Sequence, residues 1–278
     1  MKIAAVQMVT SCSLPDNLAT ARELIARAAA EGAELVALPE NFAFMGRDDR
    51  DKLPLAEPLG QGPAQAMLSA AAREHGVWLI GGSIAIATED PQRVGNTTLV
   101  YDPRGERVAR YDKIHLFRYQ EPASGEGRGR LYDEAVVLKA GDRPVAFEAT
   151  DNGGSPWRVG LSICYDLRFP ELYRQLTRPA CDLLVVPSAF TWTTGRAHWE
   201  LLLRARAVEN QCYVMAPAQG GIHENGRRTW GHSLIVDPWG EVVAVQAEGA
   251  GLATASLSRE RLLQVRAQLP ALAHRQLG

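Results

Sequence analysis

Cysteine is scarce in this chain: four among 278 residues, at Cys12, Cys164, Cys181 and Cys212, with no C-x-x-C pair. That spacing argues against a thiolate zinc site or a redox dithiol, and so few cysteines without a disulfide-like framework suit a reducing compartment. Charge of either sign is not in excess. With 30 basic and 32 acidic residues the formal net charge is −2, so no basic field meets a nucleic acid or an anionic membrane. No apolar run approaches the ~20 residues that span a bilayer. The apolar start, Met1 to Met8, is too short for a signal peptide and has no small-residue cleavage site. These absences lead us to expect a cytoplasmic protein with neither nucleic-acid nor membrane partners. What remains is ordinary globular material, 46% hydrophobic and 22% charged, and a chain this long hides roughly 75% of its unfolded surface.

Strand and helix patterns alternate from end to end with no low-complexity linker, which points to an α/β fold in one domain over 1–278. Expected strands are Ile3–Met8, Glu34–Pro39, Val77–Ile86, Thr97–Tyr101, Arg107–Tyr111, Val145–Phe147, Val159–Ile163, Asp182–Val186, Tyr213–Ala218, His232–Val236, Val242–Val245 and Leu252–Ala255. Helices are expected from the Pro15-Asp16-Asn17 cap to Ala30, over Ala64–His75, from Pro170, over Ala197–Asn210 after Thr194-Gly195, and from Ser258 to Leu269. His115 to about Tyr132 reads as irregular, and connections that long tend to be functional. Two internal echoes stand out: Leu35–Pro39 against Leu184–Pro187, and Asp102-Pro103-Arg104-Gly105-Glu106 against Asp237-Pro238-Trp239-Gly240-Glu241. They fit two similar halves packed sheet on sheet with helices outside.

The segment Trp157–Leu172 concentrates the chemistry. Val159, Leu161 and Ile163 form a β-leaning run that stops at Cys164, a polar turn follows to Arg168, and Pro170 suits the first turn of a helix. A thiol there stands at a sheet edge, beside the unpaired N–H donors of a helix start, which favour a thiolate or an oxyanion. A cysteine after an apolar strand is more often an inert core thiol, so partners must decide. Glu40 and Lys113 also stand at the C-terminal ends of expected strands, the edge where α/β sheets place their sites. Each has an ordinary reading, Glu40 as a solvated carboxylate and Lys113 as an exposed strand-end lysine. Together they make a working set: a carboxylate takes the thiol proton, the thiolate attacks an acyl carbon, and an ammonium stabilises the oxyanion. No spacing argument pairs His115 with Cys164. The set needs no metal and no cofactor, because side chains supply all of the chemistry.

The motifs Leu38-Pro39-Glu40-Asn41, Tyr111-Asp112-Lys113-Ile114-His115-Leu116 and Ile163-Cys164-Tyr165-Asp166-Leu167-Arg168-Phe169-Pro170-Glu171-Leu172 resemble those of the nitrilase superfamily of carbon–nitrogen hydrolases. The resemblance runs from Ile3 to the last helix. It implies a four-layer α-β-β-α sandwich and a homodimer. It also implies a catalytic set with Glu40 as base and acid, Lys113 as oxyanion stabiliser, Cys164 as nucleophile and the Tyr165 backbone N–H completing the oxyanion hole. A second glutamate follows the lysine in this superfamily. Glu134 is the matching residue, with Glu121, ahead of the Gly125–Arg130 stretch, and Glu126, inside it, as rivals.

Ser188-Ala189-Phe190, Gly195–Glu200, Leu203–Ala207, Asn210–Tyr213 and Gly231-His232-Ser233 resemble the Nit amidases, most of all the deaminated-glutathione amidase type. That implies hydrolysis of a small-molecule amide next to a 2-oxo-dicarboxylate skeleton. Arg168 suits a carboxylate clamp, against an ordinary ion pair with Asp166 or Glu171. Phe190 and Thr194 suit a wall and a hydroxyl contact. His198, His232 and Trp199 read as packing or hydrogen-bonding residues, Cys181 and Cys212 as core thiols, and Arg204 and Arg206 as helix or dimer contacts. The alternatives are an ω-amidase acting on smaller 2-oxo acid amides and a catalytically idle binding or scaffold protein.

Overall fold

A computed structural model describes residues 1–120 and 131–276. Its first half builds one sheet. β1 (Lys2–Gln7) leads to α1 (Leu14–Ala30), and β2 (Leu35–Ala37) is followed by α2 (Pro63–His75). Both strands are buried along nearly their whole length, as strands covered on two faces must be. α1 is capped by Ser13, whose side chain accepts from the Asp16 amide. The expected cap residue Asn17 instead turns inward and ties Ser11 to Ala43 through its side-chain amide, at 2.9 Å each.

The expected strand Val77–Ile86 is two strands, β3 (Trp78–Ile80) and β4 (Ile84–Ala87). The break lies at Gly82, at φ +52°, where a Cβ would sit 2.1 Å from the Pro39 carbonyl oxygen. Only glycine lets the chain pass that close behind the residues leading into Glu40. β5 (Val94–Tyr101) and β6 (Arg107–Asp112) form the expected hairpin. β7 (Arg118–Gln120) and β8 (Leu131–Asp133) pair antiparallel within the stretch that reads as irregular, and β9 (Leu138–Lys139) joins β5. The rival residues Glu121 and Glu126, and Gly125–Arg130, lie outside the described residues.

The second half repeats the plan. β10 (Val145–Thr150) and β11 (Pro156–Leu161) precede α3 (Pro170–Leu176). β12 (Leu183–Val185), α4 (Trp192–Asn210) and β13 (Tyr213–Ala216) follow, then the small hairpin of β14 (Gly220–Ile222) and β15 (Arg228–Trp230), then β16 (Ser233–Val236) and β17 (Val242–Gln246). β18 (Gly251–Ser256) crosses back to pair antiparallel with β1 ahead of α5 (Arg259–Gln268). α4 begins at Trp192, before Thr194-Gly195 rather than after it. Gly195 is a packing glycine: a Cβ there would meet Trp230 at 2.3 Å.

The strand orders are β18-β1-β2-β3-β5-β4 and β10-β11-β12-β13-β16-β17. One core fills the space between α1, α2 and the first sheet, with Ile25 and Leu68 among Val36, Leu38 and Leu79. The other joins the inner faces of the two sheets, Ile3 and Leu35 with Val159 and Leu183, and continues to Trp199 and Leu203 of α4. The result is the expected four-layer α-β-β-α sandwich. Both echoes are structural. β2 and β12 are interior strands that stop before Pro39 and Pro187, and Asp102 and Asp237 turn their hairpins alike, each side-chain oxygen accepting from the amides two and four residues on. Asp151 builds the same turn between β10 and β11 through Gly153 and Ser155, a third copy that residue identity conceals. No helix among the described residues is long and apolar enough to cross a membrane.

Candidate active site

Pro39 ends β2 and hands Glu40 to the interior, where its side chain is 2% exposed. One carboxylate oxygen accepts from the Asn96 amide and the Lys113 ammonium, both at 2.9 Å, and the other accepts from the Ala189 backbone N–H at 2.9 Å. Lys113, just past β6, is wholly buried. It donates to both oxygens of Glu134, at 2.9 and 2.8 Å, as well as to Glu40. Glu134, brought round by β8, is fixed in turn by the Phe117 amide at 2.7 Å. The lysine therefore sits between two carboxylates supplied by different strands.

Cys164 opens a short 3-10 turn, Cys164–Arg168, directly after β11. Its φ is +49°, in the left-handed region, a conformation that costs a non-glycine residue ~1–3 kcal/mol and persists only where its surroundings impose it. The Cys164 amide donates to the Pro187 carbonyl at 2.9 Å. Asp166, fully buried, gathers the Ile163 amide at 2.9 Å, the Tyr111 hydroxyl at 2.6 Å, and the His115 amide and Nδ1 at 3.0 and 2.7 Å. One carboxylate thus ties the residue before the nucleophile to residues two before and two after Lys113. From below, Arg206 donates twice to the Leu167 carbonyl, at 3.2 and 2.7 Å. Arg206 therefore holds the cysteine turn in addition to its helix contact with Glu209, whereas Arg204 stays with Gly240 and Glu200. Asp166→Ala leaves several buried donors without an acceptor. It is expected to cost about 3 kcal/mol or more and to lower kcat more than KM; a urea midpoint within about 0.5 kcal/mol of wild type would sink this role.

Burial works to raise the Glu40 pKa, but the Lys113 charge and hydrogen bonds from Lys113, Cys164 and Asn96 prevail and hold it below the ordinary carboxylate value. Burial also opposes the Lys113 charge, and Glu134 and Glu40 override it, raising that pKa well above an ordinary lysine. For Cys164, burial and the Glu40 charge push the thiol well up against the pull of Lys113. The resting site is carboxylate, ammonium and thiol.

Glu40, Glu134 and Cys164 face a cavity of about 550 Å³, counting its open mouth, which Arg168, Phe190 and Thr194 also line. The Arg168 guanidinium lies 5.9 Å from the Tyr165 ring centre and 5.4 Å from that of Phe190, with Nη1 3.3 Å from His198 Nδ1. It has no ion pair with Asp166 or Glu171. Thr194 shares a 2.8 Å hydrogen bond with Thr191. The Tyr165 amide belongs to the first turn after Cys164, where a helix start leaves its N–H groups without intrahelical partners. His198, His232 and Trp199 pack and hydrogen-bond, the Trp199 indole donating to the His232 carbonyl at 2.8 Å. Cys181 and Cys212 are buried thiols. Sequence reasoning missed Asn96, Asp166 and the Ala189 amide at the centre, and Asp49, Lys52, Tyr132 and Arg227 in the cavity wall. Of these only Asn96 carries a signal, a lone amide side chain within an otherwise apolar and threonine-rich strand.

The carbon-nitrogen hydrolase family matches over residues 2–267. A deaminated glutathione amidase of Synechocystis is 44% identical over 98% of this chain and 97% of its own length. The crystal structure of the Caenorhabditis elegans NitFhit protein superposes with a TM-score of 0.86 at 38% identity, covering 99% of this chain, which in turn spans 65% of that longer chain. Saccharomyces cerevisiae Nit3, a member of the nitrilase superfamily, superposes with a TM-score of 0.85 at 30% identity over 100% of this chain and 97% of its own. The buried Glu40–Lys113–Glu134 cluster and the left-handed Cys164 thus sit in a sandwich shared with proteins of that superfamily, and the chain belongs to the carbon-nitrogen hydrolase family.

Proposed function

We propose that this chain cleaves the amide of deaminated glutathione through a thioester on Cys164, releasing 2-oxoglutarate and Cys-Gly. The observation that carries the reading is the wholly buried Lys113 held between Glu40 and Glu134 beside a thiol in left-handed backbone. Because the resting thiol is protonated, a base must act as the bond forms. Glu40 takes the Cys164 proton while the sulfur adds to the amide carbon. The oxyanion so formed lies between the Lys113 ammonium and the Tyr165 N–H, and as it collapses Glu40 returns its proton to the departing nitrogen. The acyl group stays on sulfur until Glu40 deprotonates a water that attacks the thioester and expels the thiol. Glu134 orients Lys113 throughout and balances its charge. Arg168, stacked between Tyr165 and Phe190 with its donors uncommitted to a carboxylate, suits the carboxylate of the 2-oxo acid. Phe190 forms a wall of the same cavity and Thr194 offers a hydroxyl contact.

The relatives' activity supports this substrate. The runner-up is an ω-amidase acting on 2-oxoglutaramate, which shares the acyl half. Acid-quenched wild-type enzyme mixed with deaminated glutathione is expected to carry a 2-oxoglutaryl adduct and to release Cys-Gly, with kcat/KM above that for 2-oxoglutaramate. A clear preference for the smaller amide overturns the choice of substrate.

The chain is read as one domain over 1–278 that works in the cytoplasm, a location in keeping with its unpaired cysteines. It is also read as a homodimer. Support comes from the exposed apolar side chains Leu201 and Val208 on α4 and Val242, Val243 and Val245 on β17, an apolar face of the kind a second copy covers.

A further inference from the structure

The cavity over Cys164 is lined by more positive charge than the acyl half of such a substrate needs. Lys52, Arg168 and Arg227 all line it, and among the described residues no carboxylate lies within ion-pairing distance of any of them. Acids are at hand. Glu40 and Glu134 are taken up by Lys113, Asp133 faces Arg118 at 3.5 Å, and Asp49 stands in the same wall without pairing with either neighbouring cation. Unpaired cations in a half-enclosed site favour an anionic ligand.

Arg168 stands on the cysteine turn, against Tyr165 and Phe190. Lys52 lies on a short 3-10 helix, Asp49–Leu55, and Arg227 in the turn between β14 and β15, and the chain just before that helix is stitched to that turn. The Asn225 side chain donates to the Gly46 carbonyl at 2.6 Å, and Arg47 pairs with Glu224 at 3.2 Å. Asn225 also accepts from the Arg227 amide at 2.9 Å, and the Arg227 guanidinium is set 5.3 Å from the Tyr132 ring centre, inside the cavity wall. Its neighbour Arg228 is turned out of the cavity, onto Trp192. The cavity wall thus carries two cations, Lys52 and Arg227, from segments other than the cysteine turn that bears Arg168.

We propose that Lys52 and Arg227 form a second carboxylate subsite, which binds the acidic end of the leaving group. The inference rests on the amidase reading above and deepens it. The preferred substrates are linear amides with a carboxylate on each side of the scissile bond, whose amine product is itself an acid such as a short peptide. An amide that releases free ammonia leaves this subsite without a ligand.

Calorimetric titration of the Cys164→Ala protein, which holds substrate without turning it over, tests the subsite. The ligands are deaminated glutathione and the same molecule with its terminal carboxylate converted to a carboxamide. The acid is expected to bind ~10–100-fold more tightly, and Lys52→Met with Arg227→Leu in the same protein is expected to bring that ratio within about three-fold. Equal affinity for the two ligands overturns the proposal, and so does a ratio that survives the double substitution. Turnover of both ligands by the wild-type enzyme reads the amidase activity separately. Hydrolysis of both without preference removes the subsite and keeps the amidase; absence of hydrolysis alongside the expected binding ratio removes the reaction and keeps the subsite.

Discussion

Lys113→Met is expected to lose about 3–5 kcal/mol of folding stability, the cost of breaking a buried ion pair and leaving its partners charged. Its kcat is expected to fall at least ~10²–10³-fold with the loss of the oxyanion donor. The size of the first effect follows from geometry, because the ammonium contacts both Glu40 and Glu134 and, among the described residues, neither carboxylate pairs with another cation. The pH dependence of the loss has a definite sign. In the wild type the Glu40 pKa is depressed by Lys113, so its contribution is present above the unfolded value of about 4.3 and is lost as pH falls through the folded one. Lys113, with its pKa raised, contributes below about 10.4 and loses that contribution as pH rises through its folded value. Without the lysine, burial, the largest influence on Glu40, is opposed only by neutral hydrogen-bond donors and raises its pKa, so the variant gains stability as the pH drops toward 4. Denaturant midpoints should therefore differ most near neutrality and converge in acid. Adding Glu134→Gln to the variant is expected to restore part of the stability and none of the turnover. A gap between wild type and Lys113→Met that stays constant from pH 4 to 7 contradicts the charge argument.

Cys164→Ala is expected to reduce turnover by ~10⁴-fold or more while the chain stays folded, since removing a nucleophile commonly removes most of what the whole catalytic set supplies. The left-handed backbone is held by the Pro187 carbonyl and by Asp166, neither of which depends on the sulfur, so the turn keeps its shape. The acyl adduct must vanish from the mass spectrum together with the product. Residual activity of about 1% or more would place the nucleophile elsewhere.

Much of this site was legible from the ends of strands. Glu40 and Cys164 follow apolar runs stopped by a proline or a turn, Lys113 stands where a hairpin strand gives way to an irregular stretch, and the sheets bring those ends together. The contacts that make the site work were less legible, because they come from backbone and from residues with no chemical signature in the sequence. The Ala189 amide that binds Glu40 is a property of chain path, and any residue but proline could supply it. Asp166 looks like one more polar turn residue, and only its burial shows that it spans both motifs. Within the fold, glycine misled in both directions. Gly195 reads as a breaker before α4 yet lies inside it because Trp230 needs the space, and Gly82 breaks a strand that apolar residues alone would continue. The short strands β7 and β8 lack an apolar pattern, so their pairing could not be read at all.

The crossing of β18 back to β1 bears on how this protein is made. On a ribosome β1 appears long before its antiparallel partner, which spans Gly251–Ser256, with Lys2 opposite Ser256. The loop carrying Glu40 waits as well, since its backbone carbonyl is held by Gln219 and its carboxylate by the Ala189 amide. The nascent first half therefore has an unfilled sheet edge until Gly251–Ser256 has been made, and an unanchored acid until Ala189 and Gln219 have. Contacts so distant along the chain make for slow folding, and an exposed strand edge in that interval is a site for association with other chains. The site is likewise assembled late: no fragment that ends before Ala189 holds the acid, the lysine and the thiol together with the amide that anchors the acid.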